Sequence, residues 1–205
     1  LSFRLDDIVP TLEFSELRGP SLKFSPSISK RIAGDPVMIR DAFDERNCAV
    51  RMSSIGERSG EGLFARRPIA ADDPICIYSL FKLTFEENRE FIRECVERHP
   101  DRRDLCTAYL AQMEQSACVM NTGPEYISLA AYNATTGHKS NCAIGDDANG
   151  VFKDFEHPRF GLVTAVYARR DIRAGEEILV DYGYEDGPEW YRRLKKLYED
   201  KRKTP

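Results

Sequence analysis

Short apolar stretches of strand length dominate the chain, and one long helical period interrupts them. Ala49-Val50-Arg51-Met52, Gly62-Leu63-Phe64-Ala65 and the run from Ile75 to Leu83 read as strands, and prolines at 68 and 74 exclude a helix between the last two. Thr84 to His99 carries helical spacing. Phe85, Phe91, Ile92, Cys95 and Val96 supply an apolar face, and Thr84 with Glu87 forms a capping-box pair. A second helix is expected from about Asp101 to Met113, after the break at Pro100. Strands return at Cys118-Val119-Met120, Tyr126-Ile127-Ser128-Leu129, Gly150 to Phe155, Gly161 to Ala168 and Glu177 to Tyr182. A last helix is expected from near Pro188, where proline fits the first turn, to about Lys201. The stretch up to about Glu45 is rich in Pro, Ser and turn formers and reads as a few irregular strands. No internal repeat is visible. The pattern describes a β-rich α+β domain with a helical insertion, not an alternating βαβ chain.

Composition narrows the class. Among 205 residues, 41% are apolar and 31% charged, enough for a real core in a soluble protein. No apolar run approaches the roughly 18 residues that cross a membrane. Leu1 is followed by no basic and apolar leader, so the chain is expected to be a piece excised from a longer protein. The net charge of −4 argues against a nucleic-acid reader and suits a basic peptide partner, although it is also an ordinary value. Six cysteines occur without any CxxC or CxC pair, so no metal site is expected; several read as small buried hydrophobes in a reducing compartment. Asn133-Ala134-Thr135 matches a glycosylation sequon but carries no weight without a secretion signal.

Gly60-Glu61-Gly62-Leu63-Phe64-Ala65 satisfies the GxGxxG/A pattern of dinucleotide-binding folds. That pattern needs a helix opening from the glycines to hold a pyrophosphate. Here Arg66-Arg67-Pro68 and Asp73-Pro74 follow, and no helix can start. Two readings survive: a plain tight turn, or a turn whose backbone approaches a ligand because no side chain intervenes.

The order of several segments decides between them. Gly60 to Ala65 resembles the opening motif of SET domains, and Gly175-Glu176-Glu177-Ile178-Leu179-Val180-Asp181-Tyr182-Gly183-Tyr184 resembles their closing motif. Gly137-His138-Lys139-Ser140-Asn141 stands where that family has its asparagine-histidine-serine segment. His157-Pro158-Arg159-Phe160-Gly161 and Pro188-Glu189-Trp190-Tyr191 resemble the branch with N-terminal MORN repeats that methylates histone H3 and non-histone proteins. The leader from Leu12 to Ile28 is similar to the region before the domain in that branch.

The resemblance implies a fold of several small sheets with a knot-like C-terminal crossing. It implies a flanking β region over 1–45, a SET domain over 46–185 with an insert at about 84–113, and a C-terminal helical segment over 186–205. It implies transfer of methyl groups from S-adenosyl-L-methionine (AdoMet) to a lysine in a protein substrate with a basic segment. No nucleic acid, membrane or metal enters, and a monomer in the nucleus or cytoplasm is expected. Tyr182 matches the catalytic tyrosine, while Tyr184 and Tyr78 match walls of the lysine channel. Ser59, Glu61, Gly62, His138, Asn141 and the backbone of Cys142 would lie around the cofactor, with Tyr182 beside its methyl group. Trp190 would cover the adenine or wall the channel, and could equally anchor its helix in the core. Each tyrosine alone could also be an ordinary half-buried strand residue.

Two departures from the family matter. Asparagine-histidine-serine reads here as Asn141-Cys142-Ala143, and the loop from Ile144 to Ala148 is about two residues longer. The lost ring and hydroxyl remove hydrogen bonds that brace the crossing, so a SET-like binding module without turnover is the alternative function. Phe152 stands where relatives have a channel tyrosine, and could instead be a core strand residue. The insert's alternating Glu and Arg residues read as a solvated face or a substrate-docking face.

Overall fold

Residues 46–56, 59–78, 82–107, 110–113, 116–122, 135–157, 161–185 and 187–203 are described by the computed structural model. The expected irregular strands before Glu45, the strand at Tyr126–Leu129 and the asparagine of the sequon lie outside them.

β1 (Cys48–Met52) runs antiparallel to β2 (Glu61–Ala65), whose residues Gly62 to Ala65 are all buried. β3 (Pro74–Ile77) leads to a separate three-stranded sheet of β4 (Lys82–Thr84), β5 (Leu110–Gln112) and β6 (Cys118–Asn121), ordered β4-β6-β5. Helix α1 (Phe85–Arg98) packs beside that sheet and begins as expected, with the Thr84 and Glu87 side chains exchanging bonds with each other's backbone N–H. Phe91 and Cys95 from its buried face join Leu83, Cys106 and Val119 in a satellite core.

The second expected helix does not form as such. A 3-10 helix runs from Pro100 to Cys106 with Arg102 at φ −123°, and the chain then turns into β5. Pairing of Leu110, Ala111 and Gln112 with β6 supplies backbone partners that outweigh the local helical preference.

The main sheet runs β1-β2-β10-β8-β9-β3, with β7 (Asn141–Cys142) also pairing to β10. β8 (Gly150–His157) and β9 (Gly161–Ala168) form a long antiparallel pair. β10 (Glu177–Val180) is late in the chain yet central: antiparallel to β2 and parallel to β7 and β8. The Asn149 side chain extends this arrangement, its Nδ2 donating to the Glu177 carbonyl at 2.8 Å and its Oδ1 accepting from Leu179 N–H at 2.8 Å. Helix α2 (Glu189–Lys203) closes the described chain.

A repeat that sequence reading does not find appears in space. Ala65-Arg66-Arg67-Pro68-Ile69-Ala70-Ala71 and Ala168-Arg169-Arg170-Asp171-Ile172-Arg173-Ala174 share Ala-Arg-Arg-x-Ile-x-Ala. Ile69 and Ile172 bridge each other, each N–H donating to the other's carbonyl at 2.9 and 2.8 Å. Ala65 donates to Glu176 and Ala168 to Asp73, both at 2.9 Å. Asp72 (φ 63°) and Gly175 (φ 83°) hold the matching turns. β2–β10 and β9–β3 are therefore related by an approximate twofold. Leu63, Ile75, Val166 and Ile178 from both copies meet in one core, where each buried aliphatic side chain contributes about 1.5–3 kcal/mol.

Candidate functional site

The site grows from the end of β10. Its next residue, Asp181, has a carboxylate that accepts from Gly183 N–H at 3.0 Å, Gly145 N–H at 3.2 Å and the Tyr191 hydroxyl at 2.6 Å. One side chain thus ties a turn, a loop and helix α2 together. Burial raises the Asp181 pKa, but the bonds from Tyr191, Gly183 and Gly145 outweigh it and hold the carboxyl below its ordinary value. Burial and the same bond push Tyr191 up to about 12. Tyr182 and Tyr184 flank Gly183, whose φ of 65° suits a residue without a side chain.

These tyrosines belong to a continuous aromatic chain. Tyr78 meets Phe152 edge-on at 5.1 Å, Phe152 stacks on Tyr182 at 6.3 Å, and Tyr182 meets Tyr184 and Trp190 edge-on at 5.9 and 6.2 Å. The Tyr182 hydroxyl donates to the Ser140 carbonyl at 2.8 Å, which fixes the direction of its lone pairs.

Two cavities flank this chain. The first, about 770 Å³, is lined by Ser59, Asn141, Cys142, Tyr182 and Trp190 together with residues of α2. The second, about 690 Å³, is lined by Tyr78, His138, Phe152, Tyr182 and Tyr184, with Gln112 of β5 at its side. Tyr182 is common to both.

The structure separates the sequence-derived cofactor residues. Ser59, Asn141, Cys142, Tyr182 and Trp190 line the first cavity; Glu61, Gly62 and His138 do not. Glu61 instead receives a 2.7 Å ion pair from Lys139, whose side chain is only 6% exposed. Gly62 lies against Asn141 and the Glu177 carboxylate, where a Cβ would overlap the carboxylate oxygen. That carboxylate accepts from Ser53 Oγ and Ser54 N–H at 2.7 Å and from Asn141 Nδ2 at 3.3 Å. Asn141 also donates to the Glu61 carbonyl at 3.0 Å, so it both lines the cavity and is braced by Glu61 and Glu177. His138 lines the second cavity, and its backbone N–H donates to the Tyr78 carbonyl at 3.1 Å. All four residues assigned to the lysine channel line the second cavity.

Sequence reading missed the apolar half of the first cavity: Ile144, Leu179, Leu194 and Leu197. A signal existed, since Trp190, Leu194, Leu197, Tyr198 and Lys201 fall on one helical face. Cys142 is buried, its thiol pushed up to about 11 by burial, so it presents a neutral wall.

The first cavity suits AdoMet. The Cβ position of Gly60 (φ 61°) faces open space, leaving backbone accessible beside Ser59. Apolar walls and Trp190 match a nucleoside, while Ser59, Asn141 and Asp147 offer partners to an amino-acid end. Among the described residues, no group of three or more His, Cys, Asp or Glu side chains could hold a metal.

A family model described as SET domain matches residues 60–183. The histone-lysine N-methyltransferase SETD7 of Halocynthia roretzi is 28% identical over 150 residues, which cover 68% of this chain and 35% of that protein. The chain therefore spans about a third of that relative's length. Among solved structures, a candidate histone methyltransferase of Plasmodium falciparum aligns with a TM-score of 0.41 at 19% identity, over 69% of this chain and 96% of the other.

Proposed function

The chain belongs to the SET-domain family, and on that premise we propose that it transfers methyl groups from AdoMet to a lysine side chain of a protein substrate. One observation carries the reading: Tyr182 is the residue shared by a cavity suited to the donor and an aromatic cavity suited to a lysine. Two substrates entering from opposite sides would meet at its hydroxyl.

A bound AdoMet would supply an electrophilic sulfonium methyl. The chain's own residues supply the rest. Tyr78, Phe152, Tyr182 and Tyr184 give the second cavity an uncharged aromatic wall, because burial raises the Tyr184 hydroxyl further above neutrality, while the Asp181 and Glu185 carboxylates complete its lining and attract a basic side chain. Holding a lysine neutral near pH 7.4 costs about 4 kcal/mol in water. A water-poor aromatic channel disfavours the ammonium and lowers that cost. The Tyr182 proton is committed to the Ser140 carbonyl, so the oxygen's lone pairs remain for positively polarised C–H or N–H groups beside it. Among the described residues β5 is an edge strand whose Leu110, Ala111 and Gln112 line this cavity, and it would offer an extended peptide a backbone ladder. Kinship with the MORN-repeat branch is supported by His157 to Gly161 and Pro188 to Tyr191.

A second reading, a peptide-binding module without turnover, is favoured by Cys142 and Ala143. Neither donates the hydrogen bonds that a histidine and serine would: the Cys142 thiol reaches the neighbouring Ala143 carbonyl at 3.8 Å, and its sulfur accepts from the Tyr182 backbone N–H. Calorimetry with AdoMet and a methylation assay decide. Tyr182→Phe is expected to retain AdoMet binding and lose roughly a hundredfold or more in turnover. A wild-type protein that binds no AdoMet at millimolar concentration supports the module instead.

A further inference from the structure

Helix α2 walls the first cavity with Trp190, Leu194, Leu197, Tyr198 and Lys201, yet its one buried residue is Tyr191, in the first turn. Beyond that turn Leu194 and Tyr198 pack in a cluster with Cys142 and Ile144, and polar ties run to the 3-10 turn Gly145–Asp147, within the loop that is longer than the family pattern. The Tyr198 hydroxyl accepts from Asp146 N–H at 3.0 Å and donates to Asp146 Oδ2 at 3.1 Å. Arg202 donates to that hydroxyl at 3.1 Å, pairs with Asp146 at 3.5 Å and lies over the Tyr198 ring. Lys201 pairs with Asp147 at 3.5 Å. Gly145, at φ 58°, has the Tyr198 ring where a Cβ would stand. The loop itself is anchored: Arg169 donates to the Gly145 carbonyl at 2.6 Å, and Gly145 N–H donates to Asp181.

We infer that this loop is a latch that fixes α2 as a wall of the donor cavity, with Asp146 and Arg202 as positioning residues that touch no ligand. Neither Asp146 nor Arg202 lines the cavity. Both are solvated, with side chains 80% and 66% exposed, so salt screens their pairing and the latch loosens as ionic strength rises. The inference rests on the donor assignment for its functional half only.

Two readouts separate the halves. Trp190 is the sole tryptophan and is half exposed, so acrylamide quenching of its fluorescence reports the position of α2 without any ligand. Asp146→Asn and Arg202→Gln are each expected to increase quenching, and high salt to do the same in the wild type. The KM for AdoMet should rise roughly three- to tenfold in both variants, with the peptide KM and kcat unchanged. The charge exchange Asp146→Arg with Arg202→Asp should restore both signals. Unchanged quenching in the variants and across the salt series overturns the latch, as does an unchanged AdoMet KM beside intact methyl transfer. Altered quenching in a protein that never binds AdoMet upholds the latch and overturns the donor assignment.

Discussion

Gly62 shows how closely the site is built at the level of single residues. A Cβ there would overlap a Glu177 carboxylate that Ser53, Ser54 and Asn141 hold in place, so neither partner can yield cheaply. Gly62→Ala is expected to cost about 1–3 kcal/mol in denaturant unfolding, with part of the loss recovered when Glu177 is shortened to Asp. Phe152 makes the opposite case, of space left open. It lies between Tyr78 and Tyr182 and brings no hydroxyl to restrain an amine. Mass spectrometry of a methylated peptide should show dimethyl-lysine or beyond, and Phe152→Tyr should shift the product toward the monomethyl form. At this scale the sequence was informative where a motif has a backbone meaning, as at Gly60 and Gly183. It was silent on partners: that the Glu61 carboxylate pairs with Lys139, and that Gly62 leaves room for the Glu177 carboxylate, is visible only in the fold.

Among the elements, α1 was legible because its signals are local. Thr84 and Glu87 cap each other and the apolar face repeats at helical spacing. Thr84→Ala should lower stability by about 1 kcal/mol, measured by denaturant titration. The segment after Pro100 was not legible, because β5 exists through its pairing with β6 and not through its own preference. The shared Ala-Arg-Arg-x-Ile-x-Ala stretches escaped notice for a similar reason. What makes them a repeat is reciprocal hydrogen bonding across the Ile69–Ile172 bridge, which no periodicity reports.

Across the whole molecule, the carboxylates of Glu176, Glu177 and Asp181 are each held by several hydrogen bonds, Glu176 by Asn149 and Arg173, Glu177 by Ser53 and Ser54, and Asp181 by Tyr191 and Gly183. Burial raises each pKa, but hydrogen bonds outweigh it and hold all three below their ordinary values. Such groups contribute stability that is complete above the unfolded pKa and is lost as pH falls through the folded one. The thermal midpoint should therefore be flat above about pH 5 and fall below about pH 4. Glu177→Gln should lower the midpoint near neutrality and flatten the acid limb. The central position of β10 has a different consequence, for synthesis. β2 emerges from a ribosome more than a hundred residues before the strand that completes its pairing. Throughout that interval β2 has β1 on one edge and nothing from β10 on the other, an open edge that invites mispairing. The nascent chain thus depends on whatever shields that edge until Glu177–Val180 is made, and a stall or truncation just before Glu177 would release a protein with the sheet's centre missing.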